Sequence, residues 1–548
     1  MVYAAPLDDM LFSMKLAAGE DAFGAGGLYA DLGDGLLAAT LNEADRFARE
    51  QLLPLDKVGD RAGARFENGA VTTPPGWREA YAQFVESGWT RLAAEADFGG
   101  LGLPALLNVA CTEIWNAANC AFAIWPLLAH GAVRALEEHA PQRIKETYLP
   151  RLVSGEWTAT MNLTEPQAGS DLSLTRTRAE PAGDGSYRLF GQKIFITYGE
   201  HDLTSNILHL VLAKLPGEKA ISLFLAPKFL PDATGAFTRR NDLRCAGIEH
   251  KLGIKGSPTC TMIYGDGEGA TAYLLGQPNK GLAAMFTMMN EARLAVGVQG
   301  VGLAERATQM AIAYAHERAQ GGGPIIAHPD VARMALTMRA LTAAARVICY
   351  ETAVAIDRGR RQGDAEAQER AGLLTPLAKA FGSDIANEVA SLGVQIFGGM
   401  GYIEETGAAQ LFRDARIAAI YEGTNGIQAN DLVQRKLRHA GGGAMRREIE
   451  AMREDADEGA LLEAVDALAE ATDFLLGAEP RLAQAGATPY LRLFALARGG
   501  TLLAKAARTG GAKREALAAF FARNLATVAP GLGRCVIEGG ASAAQFFD

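Results

Sequence analysis

The stretch Ile420-Tyr421-Glu422-Gly423-Thr424-Asn425-Gly426-Ile427-Gln428 is a hinge of Gly, Thr and Asn that carries one carboxylate. It joins two segments of helical period. Upstream, Leu411, Phe412, Ala415, Ile417 and Ile420 mark one apolar face, and downstream Ile427, Leu432, Val433 and Leu437 mark another. Glu422 is therefore predicted on the turn. A carboxylate between two apolar helices and beside a Tyr loses water, which raises its pKa and strengthens it as a base. The window by itself reads equally well as a helix-terminal glutamate facing solvent.

Helical period runs from Gly281 to Leu437, with long alanine-rich helices at Val331 to Asp357 and Leu373 to Phe397. The preceding texture differs. Tyr187 to Phe190, Gly191 to Thr197, Ile207 to Leu212 and Ser222 to Leu225 are short, alternating and β-rich, with Gly, Pro and Asp between them. They predict an antiparallel barrel or sandwich, beginning after Trp157 and ending near Gln277 to Gly281. From Asp8 to about Pro150 the pattern is helical again, with one stripe (Leu36, Leu37, Thr40, Leu41, Ala44, Phe47, Ala48) stopping near Pro54 and another at Trp77 to Val85. The polar stretch from Asp60 to Pro75 between them reads as a surface loop. Gly99 to Pro104 is glycine-rich, but no strand precedes it, so it reads as a turn and not a phosphate loop. Gly441-Gly442-Gly443 opens a tail in which Leu461, Leu462, Val465, Leu468 and Ala469, then Leu491, Leu493, Phe494 and Leu496, predict a further packed helical unit. The fold class is α+β multidomain. Its parts are a helical domain at 1–156, a β domain at 157–279, a four-helix bundle at 280–440 and a helical extension at 441–548.

A chain of 548 residues, 49% of them hydrophobic, supplies sizeable cores. The net charge of −10 argues against neutralising a phosphate backbone or coating an anionic membrane. Six cysteines, at 111, 120, 245, 260, 349 and 535, form no C-x-x-C pair and no metal spacing, so they read as small buried hydrophobes, with no disulfide and no metal expected. The opening Met1 to Met10 has no basic region leading into an apolar run, and no stretch is apolar enough to span a bilayer, which makes the cytoplasm the default expectation.

Two blocks carry a resemblance. Tyr421-Glu422-Gly423-Thr424, preceded by Phe412-Arg413-Asp414-Ala415-Arg416 and by Gln395 to Gly401, together with Met161-Asn162-Leu163-Thr164-Glu165-Pro166-Gln167-Ala168-Gly169-Ser170-Asp171, resembles the flavin-dependent acyl-CoA dehydrogenases. The likeness runs from about Gly88 to about Leu437. The opening Tyr3 to Met10, the His328 to Val331 segment and the tail resemble the larger bacterial, 3-methylmercaptopropionyl-CoA dehydrogenase-like branch of that family.

The resemblance implies that Glu422 removes a proton alpha to a thioester while the β hydride leaves for FAD. Met161, Leu163, Thr164, Gly169 and Ser170 would line the flavin, with Met161 standing where relatives often carry an aromatic residue. Phe195 and Thr197, in Phe195-Ile196-Thr197, would pack on the isoalloxazine and hydrogen-bond near N5, whereas the bland reading is a barrel strand with Phe and Ile inward. Arg318 would reach the FAD pyrophosphate of a neighbouring subunit, although the usual Thr-Phe does not follow it. Gln395, Gly398 and Gly399 would form the reciprocal cradle, and Thr424 a further cofactor contact. Ser170, Asn290, Arg293, Tyr421 and Gly423 would touch the acyl-CoA. Glu291 is one place off the position where some branches carry their base, roughly 100° around a helix, which leaves Glu422 as the base. The implied partners are an acyl-CoA substrate, an electron-transferring flavoprotein as acceptor, and further copies of the chain in a homodimer or homotetramer. The rivals are an acyl-CoA oxidase and a non-catalytic flavin-binding regulatory relative.

Overall fold

The computed structural model of the protein describes residues 3–456, 459–540 and 542, so that Met1, Val2 and the end of the tail fall outside it. Two compact bodies share the chain. The helical body is made of residues 1–49, 105–118 and 293–548, and the β-rich body of 50–104 and 119–292.

Along the chain the first helices are α1 (Leu7–Ala18), α2 (Gly33–Phe47), α3 (Leu53–Ala62), α4 (Trp77–Glu86), α5 (Ala105–Ala118), α6 (Cys120–His139) and α7 (Gln142–Val153). The α2 stripe does not stop near Pro54. A π turn at Ala48–Leu52 carries it into α3, where Pro54 occupies the first turn and sacrifices no helical hydrogen bond. The expected loop between Asp60 and Pro75 contains a hairpin of β1 (Arg65–Glu67) and β2 (Ala70–Thr72), turned by Asn68 and Gly69 in the left-handed region.

The β region comprises β3 (Thr158–Asn162), β4 (Arg178–Pro181), β5 (Tyr187–Thr197), β6 (Ile207–Lys214), β7 (Ile221–Pro227), β8 (Phe229–Pro231), β9 (Phe237–Arg240), β10 (Leu243–Ile248), β11 (Thr259–Tyr264) and β12 (Ala270–Leu275). Pairing closes a ring of five strands, β5 to β12 to β7 to β6 to β4 and back to β5. The barrel is not wholly antiparallel, since β3 and β4 pair parallel to β6. β5 belongs to two pairings. As far as Leu189 it pairs with β12, and from Gly191 onward with β11. The changeover needs glycine, because a Cβ at Gly191 would lie 2.6 Å from Thr177 Oγ1 and 2.9 Å from its Cα. Leu189, Ile196, Val211, Phe224 and Met262 fill the barrel.

The remaining helices are α8 (Gly281–Glu317), α9 (Pro329–Gln362), α10 (Ala365–Phe397), α11 (Ala408–Ala415), α12 (Asn425–Asp431), α13 (Gly443–Asp455), α14 (Ala460–Gly477), α15 (Pro480–Ala485), α16 (Ala487–Gly510), α17 (Ala512–Asn524) and α18 (Ala529–Ile537). Asp364 caps α10 by accepting from the Ala367 amide at 3.0 Å. Beyond Arg293, α8 and α10 touch backbone to backbone. A Cβ on Gly297 would lie 2.5 Å from Ala378 O, and one on Gly300 2.2 Å from Gly382 O. The extension folds as expected. Leu491, Leu493, Phe494 and Leu496 are buried, and α16 packs on α9, α10 and α12, although Leu462 faces outward. Five of the six cysteines are buried, and Cys535 is exposed.

Candidate active site

The hinge is confirmed as a turn between α11, prolonged by a 3-10 turn at Arg416–Ala419, and α12. Its upstream face is less regular than the sequence suggested. Leu411 and Ala415 are buried, but Phe412 is exposed, lying roughly 100° around α11 from Leu411, and Ile420, beyond the change from α to 3-10 winding, is exposed too. Downstream, Leu432, Val433 and Leu437 are buried.

Glu422 and Gly423 are consecutive left-handed residues, with φ of 57° and 84°. For Gly423 this costs nothing steric; for Glu422 it stores about 1–3 kcal/mol, and such a conformation persists only where its surroundings hold it. Three groups do. The Gln428 amide, fully buried, donates to the carbonyls of both Glu422 and Gly423 at 3.2 Å. Lys379 Nζ donates to the Gly423 carbonyl at 2.9 Å. Thr424 caps α12, its hydroxyl accepting from the Ile427 amide at 3.2 Å. The neighbouring Tyr421 hydroxyl donates to Gln299, whose amide donates to Asn116 at 3.1 Å, tying the hinge to α8 and α5.

The Glu422 side chain is partly buried, not a glutamate facing water. Burial pushes its carboxyl up to about 7, with Arg293 and Lys379 pulling it back down. Arg293 is only 4% exposed and lies 3.4 Å from Asp431; burial lowers its pKa, against Asp431 and Glu422. Lys379 is fully buried, and burial brings it down to about 8, against Glu422 and Asp384. Among the described residues the amide N–H of Glu422 donates to no protein acceptor, so it is available to a ligand oxygen.

In the β-rich body, Thr164 through Ser170 leave the end of β3 as a tight loop, closed by paired backbone hydrogen bonds between Glu165 and Ala168 at 2.9 Å. Gly169 and Ser170 are exposed, and Met161, Leu163 and Thr164 are partly so. A buried ion pair holds the loop. Lys193 Nζ donates to Glu165 at 2.8 Å and to the Leu163 carbonyl at 2.9 Å, while Glu165 also accepts from Thr177 and from the Arg176 amide. Burial works against the Glu165 charge, yet Lys193 and Thr177 hold the carboxyl down at about 2.

Phe195 does not point inward. A bulge in β5 sets Ile194 and Phe195 together opposite Thr261, Phe195 takes φ of 60°, and its ring is 58% exposed. Lys193 and Ile196 consequently both face the barrel interior, and Phe195 and Thr197 share the outer side. A flat, exposed aromatic ring beside a hydroxyl suits a planar ligand that is apolar on its face and polar at its edge, as a flavin is. Asn290 is exposed, and Glu291 lies close enough to His130 to raise its pKa, although burial is the larger influence and brings that imidazole down to about 4. In the helical body, Arg318, Gln395, Gly398 and Gly399 are exposed, and Arg318 forms no ion pair among the described residues. An exposed guanidinium without a carboxylate suits a phosphate.

Sequence reasoning missed Lys379, Gln428, Gln299 and Lys193. The lysines left a signal, since Lys379 is a charge inside an apolar run, Leu377-Ala378-Lys379-Ala380-Phe381, and Lys193 stands at the head of another, Ile194-Phe195-Ile196. No group of His, Cys, Asp and Glu suited to a metal occurs among the described residues, and no helix there is long and apolar enough to cross a membrane.

Four family models match the chain. They describe the acyl-CoA dehydrogenase N-terminal domain at 38–156, middle domain at 160–266 and C-terminal domain at 279–437, and an acetyl-CoA dehydrogenase C-terminal-like domain at 443–546. The chain is 47% identical to the 3-methylmercaptopropionyl-CoA dehydrogenase of Ruegeria pomeroyi, over 90% of its own length and 89% of that protein's. It is 36% identical to a butyryl-CoA dehydrogenase of Syntrophomonas wolfei, over 73% and 70%. Its fold is that of an acyl-CoA dehydrogenase from Bacillus anthracis solved in complex with FAD, with a TM-score of 0.76, 24% identity, and 93% and 89% coverage. The chain belongs to the acyl-CoA dehydrogenase family, as an FAD-dependent oxidoreductase.

Proposed function

We propose that Glu422 is the base that takes the proton alpha to the thioester carbonyl of an acyl-CoA. The observation that carries this reading is a carboxyl brought up to about 7 by burial, with Arg293 and Lys379 beside it, on a backbone held left-handed. A general base works best when its pKa lies near the working pH. The unspent Glu422 amide is the donor we assign to the thioester oxygen, where negative charge develops as the proton leaves. Arg293, Tyr421 and Gly423 in the helical body, and Ser170 and Asn290 in the β-rich body, are the residues assigned to the acyl-CoA.

FAD, when bound, accepts the hydride from the β carbon. Its proposed contacts in the β-rich body are Met161, Leu163, Thr164, Gly169, Ser170, Phe195 and Thr197. Those in the helical body are Arg318, Gln395, Gly398, Gly399 and Thr424. We assign the reaction to β-oxidation in the cytoplasm, with an electron-transferring flavoprotein as acceptor and a homodimer or homotetramer as the working form.

Glu422→Gln keeps the size and hydrogen bonding of the side chain and removes its basicity. Anaerobic mixing with a good acyl-CoA should bleach the oxidised flavin band at least ~10²-fold more slowly than in the wild type, while FAD stays bound. Bleaching within a few-fold of wild type would remove Glu422 from the role and make Glu291 the next residue to test.

A further inference from the structure

We propose that Lys379 is the positioning residue of the Glu422 base, clamping the left-handed peptide that follows the carboxylate and keeping a positive charge beside it. The inference rests on the reading of Glu422 as the base.

An ammonium group with no exposure, in the middle of an apolar helix, is costly unless its donors are matched. Two of the Lys379 donors are matched, and both partners lie in the catalytic hinge: the Gly423 carbonyl at 2.9 Å and Asn425 Oδ1 at 2.8 Å. Asn425 cannot turn away. Its Nδ2 donates to Asp384 Oδ1 at 2.6 Å and to Ser383 Oγ at 3.0 Å, so Oδ1 is left facing the ammonium. Asp384, Ser383 and Lys379 are all on α10, which thus grips the first turn of α12 from one side, while Gln428 holds the Gly423 carbonyl and that of Glu422 from α12 itself.

Position on α10 matters as much as chemistry. Lys379 adjoins Ala378, whose carbonyl is the atom that Gly297 of α8 approaches so closely that no Cβ fits. Arg293 lies one turn earlier on α8. The helix contact therefore brings both cations to Glu422. Within this body Arg293 from α8 and Lys379 from α10 act on the carboxyl itself, while Asp384 from α10 acts on Lys379, and Asp431, Arg435 and Lys436, from α12 and the turn that follows it, interact with Arg293. Arg293 already shares its charge with Asp431. Removal of the Lys379 charge leaves less to hold the proton off Glu422, so the carboxyl should stay protonated to higher pH.

The test uses the FAD-loaded enzyme and two variants, with anaerobic flavin bleaching by a good acyl-CoA followed across the neutral pH range. Lys379→Met should retain FAD, lose about 10- to 100-fold in limiting rate through misplacement of the base, and move the pH midpoint up by about one unit. Lys379→Gln returns a donor to the Gly423 carbonyl without charge. It should recover much of the rate and keep the displaced midpoint. A rate loss with an unmoved midpoint would overturn the proposal, because a structural role alone gives that result. Wild-type rate and midpoint in Lys379→Met would overturn it as well, as would loss of folding and FAD in both variants. Glu422→Gln run alongside separates the two readings. If it bleaches like wild type, the base assignment has failed; if it is inert while Lys379→Met behaves as wild type, only the positioning role has failed.

Discussion

Arg498 forms a bidentate ion pair with Glu351, 2.9 Å from Nε and 2.5 Å from Nη2, and both residues are buried. The pair joins α16 of the C-terminal extension to α9, and Arg370 of α10 links Glu351, at 3.3 Å, to Glu448 of α13. Loss of Arg498 leaves Glu351 with Arg370 alone, at 3.3 Å and shared with Glu448. Arg498→Leu should lower stability by up to about 3 kcal/mol in urea unfolding, less than for a buried charge left with no partner. The double variant Glu351→Leu, Arg498→Leu should lose less than the sum of the two single changes, since it removes the under-compensated carboxylate too.

The raised pKa of Glu422 sets the direction of the pH dependence. Below about 7 the free enzyme holds this carboxyl protonated, so a base in the proposed role would be blocked there, and above it the carboxylate is available. kcat/KM should therefore fall by about tenfold for each pH unit on the acid side and level off on the alkaline side. A profile that is flat from pH 5 to 8, as order-of-magnitude limits for a group of ordinary carboxylate pKa, would contradict the burial of this group.

Phe195 occupies a backbone conformation that suits Asn or Gly better than a bulky residue. Phe195→Asn should leave the apoprotein at least as stable, with a gain of up to ~1 kcal/mol from relieved strain. The same change should weaken FAD retention, measured by dialysis and flavin absorbance. Unchanged FAD affinity would mean that the exposed ring serves something else.

Gly300→Ala places a Cβ 2.2 Å from the Gly382 carbonyl oxygen, where backbone and not a flexible side chain must yield. The expected cost is about 1–3 kcal/mol, seen as a lower melting temperature. Activity should fall further than stability alone explains, because the same contact sets Arg293 and Lys379 against Glu422. Wild-type kcat in a folded Gly300→Ala variant would show that the α8–α10 spacing has slack.

The layout of helices and strands was legible in the chain because period reports local structure directly. Gly, Asn and Thr around Glu422 marked a turn, alternation between Tyr187 and Leu225 marked a barrel, and the Gly441 to Gly443 break marked the start of the extension. Errors came where local pattern meets a neighbour. The chain left open whether Phe195 points outward with Thr197 or inward with Ile196, and the bulge that turns it outward depends on the pairing with β11. The apolar character of Phe412 and Ile420 gave no hint that both lie exposed.

Contiguous residues were enough to reveal the family and the order of its parts and to single out Glu422 as the candidate carboxylate. The tertiary structure alone decided what surrounds that carboxylate. Lys379, Arg293, Gln428 and Gln299 are distant in the chain or hidden in apolar runs, and they reach the hinge only through the glycine contact between α8 and α10 and the capping of α12. A pKa is the sum of desolvation and fields from groups brought together by folding, so the value near 7 at Glu422 belongs to that packing and to no stretch of sequence.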